Sequence, residues 1–219
     1  MMLDVQGILF DIDGTLVDST AAVERSWRAW AREYRVDPDE VVRVCHGRRT
    51  EDIVAQFVSP KHQTVAAARE LALELADLNG VVALPGSRQA LTALPPERWG
   101  AVTSGERSLM TARLEAAGLP VPQTLIGAED VSAGKPNPEG YLKAAAALGF
   151  EARHCLVVED SPAGIGAGRA ACARILAVTT SHDPAELVGA DVMVPDLSCV
   201  RIEVTGHGVA VLMPEGGPI

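Results

Sequence analysis

The chain has 219 residues, 47% hydrophobic and 22% charged, the composition of a folded domain with a substantial core and not of a disordered chain. Nineteen Lys and Arg against 29 Asp and Glu leave a formal charge of −10. That balance argues against nucleic-acid or anionic-membrane partners, which need a basic surface.

Val5–Phe10 (VQGILF) is a short apolar run ending in the polar turn Asp11-Ile12-Asp13-Gly14-Thr15. This pattern predicts a buried strand that delivers carboxylates at its C-terminal end. Residues 20–80 carry only helical patterns, over Ala21–Tyr34, Pro38–Val44, Thr50–Phe57 and Thr64–Leu78, before the turn signal Leu84-Pro85-Gly86. Beyond it, strand-like runs fall at Trp99–Thr103, Thr124–Ile126, Cys155–Val158, Ile175–Val178 and, more weakly, Val192–Val194. Ala-rich helices are predicted between them at Ser108–Ala117, Pro138–Leu148 and Ala163–Ala171. Pro138 suits a first helical turn, and Gly118 and Gly149 suit C-terminal caps. Val200–Val204 and Val209–Leu212 flank Thr-Gly-His-Gly as a hairpin.

Strands alternating with helices predict an α/β fold: a mostly parallel, Rossmann-like sheet with right-handed crossovers, binding ligands beyond the strand C-termini. The helical run reads as an insertion above those ends. Residues 1–18 and 86–219 then form a discontinuous core and residues 19–85 an all-helical domain that covers the site. No run of about 18–20 apolar residues is present to cross a bilayer. Met-Met-Leu-Asp-Val-Gln-Gly lacks the basic start of a signal peptide. Cys45, Cys155, Cys172 and Cys199 are scattered without a C-x-x-C pair and are expected as buried, reduced thiols of a cytoplasmic protein.

Asp11 and Asp13 after the first strand, and Glu159 and Asp160 after Cys155–Val158, share one edge of a parallel sheet. Four carboxylates gathered there repel one another unless a cation sits among them. A hard divalent ion with oxygen ligands, Mg²⁺, meets that need and leaves room for a phosphate oxygen. Thr103-Ser104-Gly105 places a hydroxyl and backbone N–H groups at a strand-to-helix turn, a ready phosphate cradle. Lys135, between Gly134 and Pro136, supplies a cation near the same edge.

Phe10-Asp-Ile-Asp-Gly-Thr15, the apolar step to Thr103, Lys135-Pro136 and Val158-Glu-Asp-Ser161 occur in that order. Together they resemble the four motifs of the haloacid dehalogenase (HAD) superfamily, and the resemblance spans almost the whole chain. The helical run resembles the cap of the subfamily that contains β-phosphoglucomutase. The stretches His46-Gly-Arg-Arg-Thr50 and Gly134-Lys-Pro-Asn-Pro-Glu-Gly140 resemble 2-deoxyglucose-6-phosphate, glycerol-phosphate and related sugar-phosphate phosphatases.

The resemblance implies a Mg²⁺-dependent phosphatase of a small sugar or polyol phosphate. Asp11 is then the nucleophile that becomes an aspartyl-phosphate, and Asp13 the general acid and base. Asp11, Asp160 and the Asp13 carbonyl hold the metal, with Glu159 a ligand directly or through water. Thr103, Ser104 and Gly105 bind phosphoryl oxygens, while Lys135 orients Asp11. Arg48 and Arg49 are the candidate substrate contacts, with Arg49 expected in the cleft; Glu24 is a secondary one. His46, Trp27 and Trp30 read as structural. The expected protein is a monomer.

Three related chemistries fit less well. A 2-haloacid dehalogenase has no use for the second acid, Asp13. A β-phosphoglucomutase carries a histidine twelve residues past the nucleophile, where this chain has Val23. A phosphonatase carries a cap lysine, and residues 20–60 contain none. A non-catalytic, metal-binding module of the same fold is the remaining alternative.

Overall fold

The apolar runs become strands where both faces are covered. In this computed structural model, which describes residues 1–213, the predicted strand Val5–Phe10 is two strands broken at Gln6. β1 (Met2–Val5) leaves the main sheet, whereas β2 (Gly7–Phe10) enters its centre. The Gln6 amide donates to the His154 carbonyl at 2.7 Å and its own carbonyl accepts from Arg98, so the break is held from both sides.

β3 (Val17–Asp18) leads into α1 (Thr20–Tyr34), α2 (Pro38–Cys45), α3 (Thr50–Phe57) and α4 (Gln63–Ala76), and β4 (Val82–Ala83) returns. β3 and β4 pair antiparallel, Val17 opposite Ala83, so the chain enters and leaves the helical run at one place. The rest is α5 (Ser87–Thr92), β5 (Trp99–Val102), α6 (Arg107–Ala116), β6 (Leu125–Ile126), α7 (Glu139–Ala147), β7 (Cys155–Glu159), α8 (Pro162–Ala170), β8 (Arg174–Val178), β9 (Val192–Val194), β10 (Arg201–Val204) and β11 (Val209–Leu212). Residues 214–219 of the expected core lie outside the described residues.

The main sheet has the order β6-β5-β2-β7-β8-β9, all parallel. Alternate residues serve opposite faces. Ile8, Phe10, Leu156, Val158, Leu176 and Val178 join Leu109, Met110 and Leu114 of α6 in one core. Leu9, Cys155, Val157, Ile175 and Ala177 join Tyr141, Ala144 and Ile165 of α7 and α8 in the other. The predicted tail hairpin forms, and β1 completes it as a three-stranded antiparallel sheet, β1-β11-β10. Gly118 (φ +65°) and Gly149 (φ +81°) take the left-handed conformation that ends a helix.

The four inserted helices bury their own apolar cluster, centred on Trp27, Trp30, Val41, Ile53 and Val54. Trp27 and Trp30 meet edge to face at 5.3 Å, and the Trp30 indole N–H donates to the Ala66 carbonyl. Both tryptophans are packing residues, as expected. Among the described residues no helix is long and apolar enough to cross a membrane. All four cysteines are free, but only Cys45 and Cys155 are buried; Cys172 is exposed and Cys199 half-buried.

Candidate active site

β2 and β7 are central, parallel and in register, with Phe10 opposite Val158, and the Asp11 N–H donates to the Val158 carbonyl at 3.0 Å. Both acidic turns therefore emerge side by side. β5 flanks β2 on the other side, so its continuation, Thr103-Ser104-Gly105, reaches the same edge. These ends open into a cleft of about 710 Å³, whose far wall comes from the inserted helices and includes Trp27, Arg43, His46, Arg48 and Glu74.

Lys135 sits at the centre of the acidic cluster. Its ammonium donates to Asp11 Oδ1 at 2.5 Å and to Glu159 Oε1 at 2.6 Å. Glu159, fully buried, accepts four more bonds: from the Tyr141 hydroxyl (2.7 Å), the Asp160 and Ser161 amides, and the Ser161 hydroxyl. All five are protein donors. Asp160 faces the cleft, accepting from Thr15 Oγ1 at 3.2 Å and from the Ser181 hydroxyl.

The charges divide unequally. Burial alone pushes the Glu159 carboxyl up, but Lys135 and the Tyr141 and Ser161 hydroxyls bring it below the ordinary value. Burial would likewise depress Lys135; Asp11 and Glu159 outweigh it and hold the ammonium charged. Asp11 stays well above the usual carboxylate range, chiefly through burial, with Glu159 and Asp160 adding to it against the pull of Lys135. Asp160 is pushed up to about 7 by burial and by Glu159. One lysine thus satisfies Glu159 and leaves Asp11 and Asp160 short of positive charge.

Asp13 lines the same cleft as Asp11 and Asp160. Oδ1 accepts from the Ser19 hydroxyl at 2.7 Å, and Oδ2 from Arg113 Nη1 at 2.5 Å. Arg113, 3% exposed, reaches from α6 and donates through Nη2 to Glu74 of α4 at 2.7 Å. Neither Arg113 nor Glu74 belongs to a motif. Their signal in the sequence is positional: Arg113 shares a helix face with Leu109 and Met110, and Glu74 a face with Ala66, so each puts a charge on a buried stripe.

The expected phosphate cradle is assembled but partly engaged. Thr103 Oγ1 accepts from the Gly105 amide at 3.1 Å, and the Ser104 hydroxyl donates to the Gly47 carbonyl at 3.2 Å. The second contact ties the loop after α2 to the core. Arg48 lines the cleft. Arg49 does not, contrary to expectation: it packs over Gly134, where an added Cβ would come within 2.7 Å of Arg49 Cδ, next to Lys135. Glu24 also turns from the cleft, standing 3.8 Å from His46.

The family profile of the haloacid dehalogenase-like hydrolases matches residues 5–171. Hexitol phosphatase A of Escherichia coli (strain K12) is 37% identical over 94% of this chain and 98% of its own length. Glycerol-1-phosphate phosphohydrolase 2 of Saccharomyces cerevisiae is 35% identical over 92% of this chain and 86% of its own. Among solved structures, a hydrolase from Pseudomonas syringae superposes with a TM-score of 0.78 at 24% identity, covering 88% of this chain and 94% of its own.

Proposed function

The chain belongs to the haloacid dehalogenase-like hydrolase family, and we propose that it hydrolyses the phosphate monoester of a small sugar or polyol through an aspartyl-phosphate on Asp11. The observation that carries this reading is the meeting of Asp11, Asp13, Asp160 and Lys135 in one cleft. Asp11 is a carboxylate nucleophile that needs no activating base, only relief from the charge of the phosphate it attacks.

The donor set fits a hard divalent cation. Asp11, Glu159 and Asp160 each offer a carboxylate oxygen within 4.8 Å of the others, and oxygen-only ligands suit Mg²⁺. Gly14, at φ +85°, lies against Asp160 so closely that an added Cβ would collide with its Oδ2. Because Glu159 is committed to Lys135, Tyr141 and the Ser161 turn, we assign the ion to Asp11, Asp160 and the Asp13 backbone carbonyl, with Glu159 fixing Lys135 behind them. When bound, the ion shields Asp11 from the phosphate and offsets charge on the transferring group.

The protein's own residues then divide the reaction. An Asp11 oxygen attacks phosphorus as the ester P–O bond breaks, and Asp13 gives its proton to the departing alkoxide. Asp13, now a carboxylate, takes a proton from water as that water attacks the aspartyl-phosphate, releasing orthophosphate and restoring Asp11. Thr103, Ser104 and Gly105 cradle phosphoryl oxygens, and Arg48 faces the substrate from the opposite wall. Residues 19–85 act as a cap that excludes water from the closed cleft. Val23, in the cleft wall, offers no proton-transfer group, which favours hydrolysis over a mutase.

The test is orthophosphate release from a panel of sugar and polyol phosphates, with Mg²⁺ or with a chelator, by the wild type and Asp11→Asn. Turnover should need the metal and fall by about a thousandfold or more in the variant. Its melting temperature should change little. Undiminished turnover by Asp11→Asn would remove the nucleophile, and a panel with no substrate would remove the function.

A further inference from the structure

Glu74 is a cap-side carboxylate that the motifs leave unused. It is 6% exposed, lines the cleft and comes from α4 of the helical insertion. Oε1 accepts from Arg113 Nη2 at 2.7 Å, and among the described residues Oε2 accepts no hydrogen bond. Unlike the sealed, unpartnered oxygens of Glu70 one turn earlier, Oε2 is open to the cleft. A buried carboxylate with one oxygen pinned and the other unfilled is an acceptor awaiting a donor.

Arg113 fixes where that donor must be. The same guanidinium holds Asp13 Oδ2 and Glu74 Oε1, so the two carboxylates stand one planar fork apart. This step rests on the proposed function, in which Asp13 faces the ester oxygen that leaves. An acceptor one fork away from that oxygen meets the substrate one or two carbons along the alcohol. In an open-chain polyol both of those carbons carry a hydroxyl and in a pyranose 6-phosphate the second does, whereas a simple alkyl ester carries none. A phosphate cannot be the occupant, because a second anion beside Glu74 and Asp13 would be repelled. A hydroxyl is neutral and donates.

We infer that Glu74 is a specificity residue: its free oxygen accepts a hydrogen bond from a hydroxyl one or two carbons from the phosphorylated carbon, and Arg113 sets its position relative to Asp13. The occupant is the esterified alcohol itself. The arrangement therefore selects polyhydroxylated phosphate esters over alkyl esters of the same size. It also ties selection to closure, because Glu74 lies on the insertion and Asp13 on the core.

The matched pair for the test is glycerol 1-phosphate and n-propyl phosphate, which share a carbon chain and differ in two hydroxyls. The quantity read is the ratio of their kcat/KM values, in the Mg²⁺-loaded wild type, Glu74→Gln and Glu74→Ala. The wild-type ratio should favour the glycerol ester by at least tenfold. It should fall about tenfold in Glu74→Ala, and by less in Glu74→Gln, whose amide oxygen still accepts but without charge. A purely structural role for Glu74 would lower both esters together and leave the ratio unchanged, overturning the inference. So would a wild type that hydrolyses both esters equally well, although the proposed phosphatase function would stand. If the wild type hydrolysed neither these esters nor any other phosphate monoester, the proposed function would fall along with the inference. Should Glu74→Ala not fold, the Glu74→Gln ratio decides alone.

Discussion

Glu70 makes a stability prediction whose size follows from its surroundings. It lies on α4 with no exposed surface, and neither carboxylate oxygen has a hydrogen-bond partner. The nearby Ser26 hydroxyl gives its proton to the Val23 carbonyl instead. Burial, and then the charge of Glu74, pushes the Glu70 carboxyl from 4.5 up to about 8, against weaker pulls from the neighbouring Ser26 hydroxyl, Arg113 and Arg69. The folded protein therefore holds a proton at Glu70 that the unfolded chain releases above pH 4.5. With more protons bound in the native state, stability falls as pH rises from about 4.5 to 8. At 1.36 kcal/mol per pH unit, that loss amounts to about 3 kcal/mol by pH 7. Glu70→Gln keeps the shape and removes the titration. In urea unfolding from pH 5 to pH 8, the stability of the variant minus that of the wild type should climb by about 3–4 kcal/mol. Reading the difference cancels the titrating groups that do not interact with Glu70, including Asp160, as well as any fixed cost of the buried amide. Parallel curves would show that Glu70 does not hold its proton in the folded state.

Three further predictions test the site. Lys135→Met removes the cation shared by Asp11 and Glu159; it should abolish turnover and destabilise by about 3–5 kcal/mol, measured by urea unfolding without Mg²⁺, because it leaves buried charge unpaired. Gly14→Ala places a methyl at φ +85° against Asp160; a higher Mg²⁺ concentration for half-maximal activity and a loss of about 1–3 kcal/mol in stability are expected. Arg48→Ala, on the cleft wall, should raise KM about tenfold with a smaller effect on kcat, the sign of lost ground-state binding. Arg49→Ala, whose side chain lies outside the cleft lining, should raise KM less.

The chemistry-bearing part of the fold was legible because it rests on local pattern. Short apolar runs ending in Asp11, Thr103 and Glu159-Asp160 announce buried strands with polar C-terminal ends, and parallel pairing then forces those ends together. What could not be read depends on distant partners. Met2–Val5 alternates weakly and becomes a strand only because Val209–Leu212 pairs with it from the far end of the chain. β3 and β4 are two residues each and exist through their pairing. Arg113 and Glu74 were visible only as charges on apolar stripes, and such a stripe does not name the partner across it. The different surroundings of Arg48 and Arg49 follow from how the loop after α2 packs on Ser104 and Gly134, a tertiary contact with no sequence signature.

The charge pattern of the cleft explains how a chain of net charge −10 can take an anionic ester. Acidity is concentrated on the core edge, where Lys135 is divided between Asp11 and Glu159. The facing wall carries Arg43 and Arg48, with Glu74 neutralised in part by Arg113. Without a cation the core edge would repel phosphate; a divalent ion held by Asp11 and Asp160, as proposed, would offset the two negative charges that Lys135 leaves among Asp11, Glu159 and Asp160, and the phosphoryl group could then approach the arginines of the facing wall. Field lines through a narrow, low-dielectric cleft depend on these few local charges far more than on the screened charge of the outer surface. Metal binding should therefore precede productive substrate binding, so that KM, and not only kcat, rises when Mg²⁺ is limiting. A KM independent of Mg²⁺ concentration would mean that Arg48 and its neighbours alone overcome the acidic edge, and that the ion serves only the chemical step.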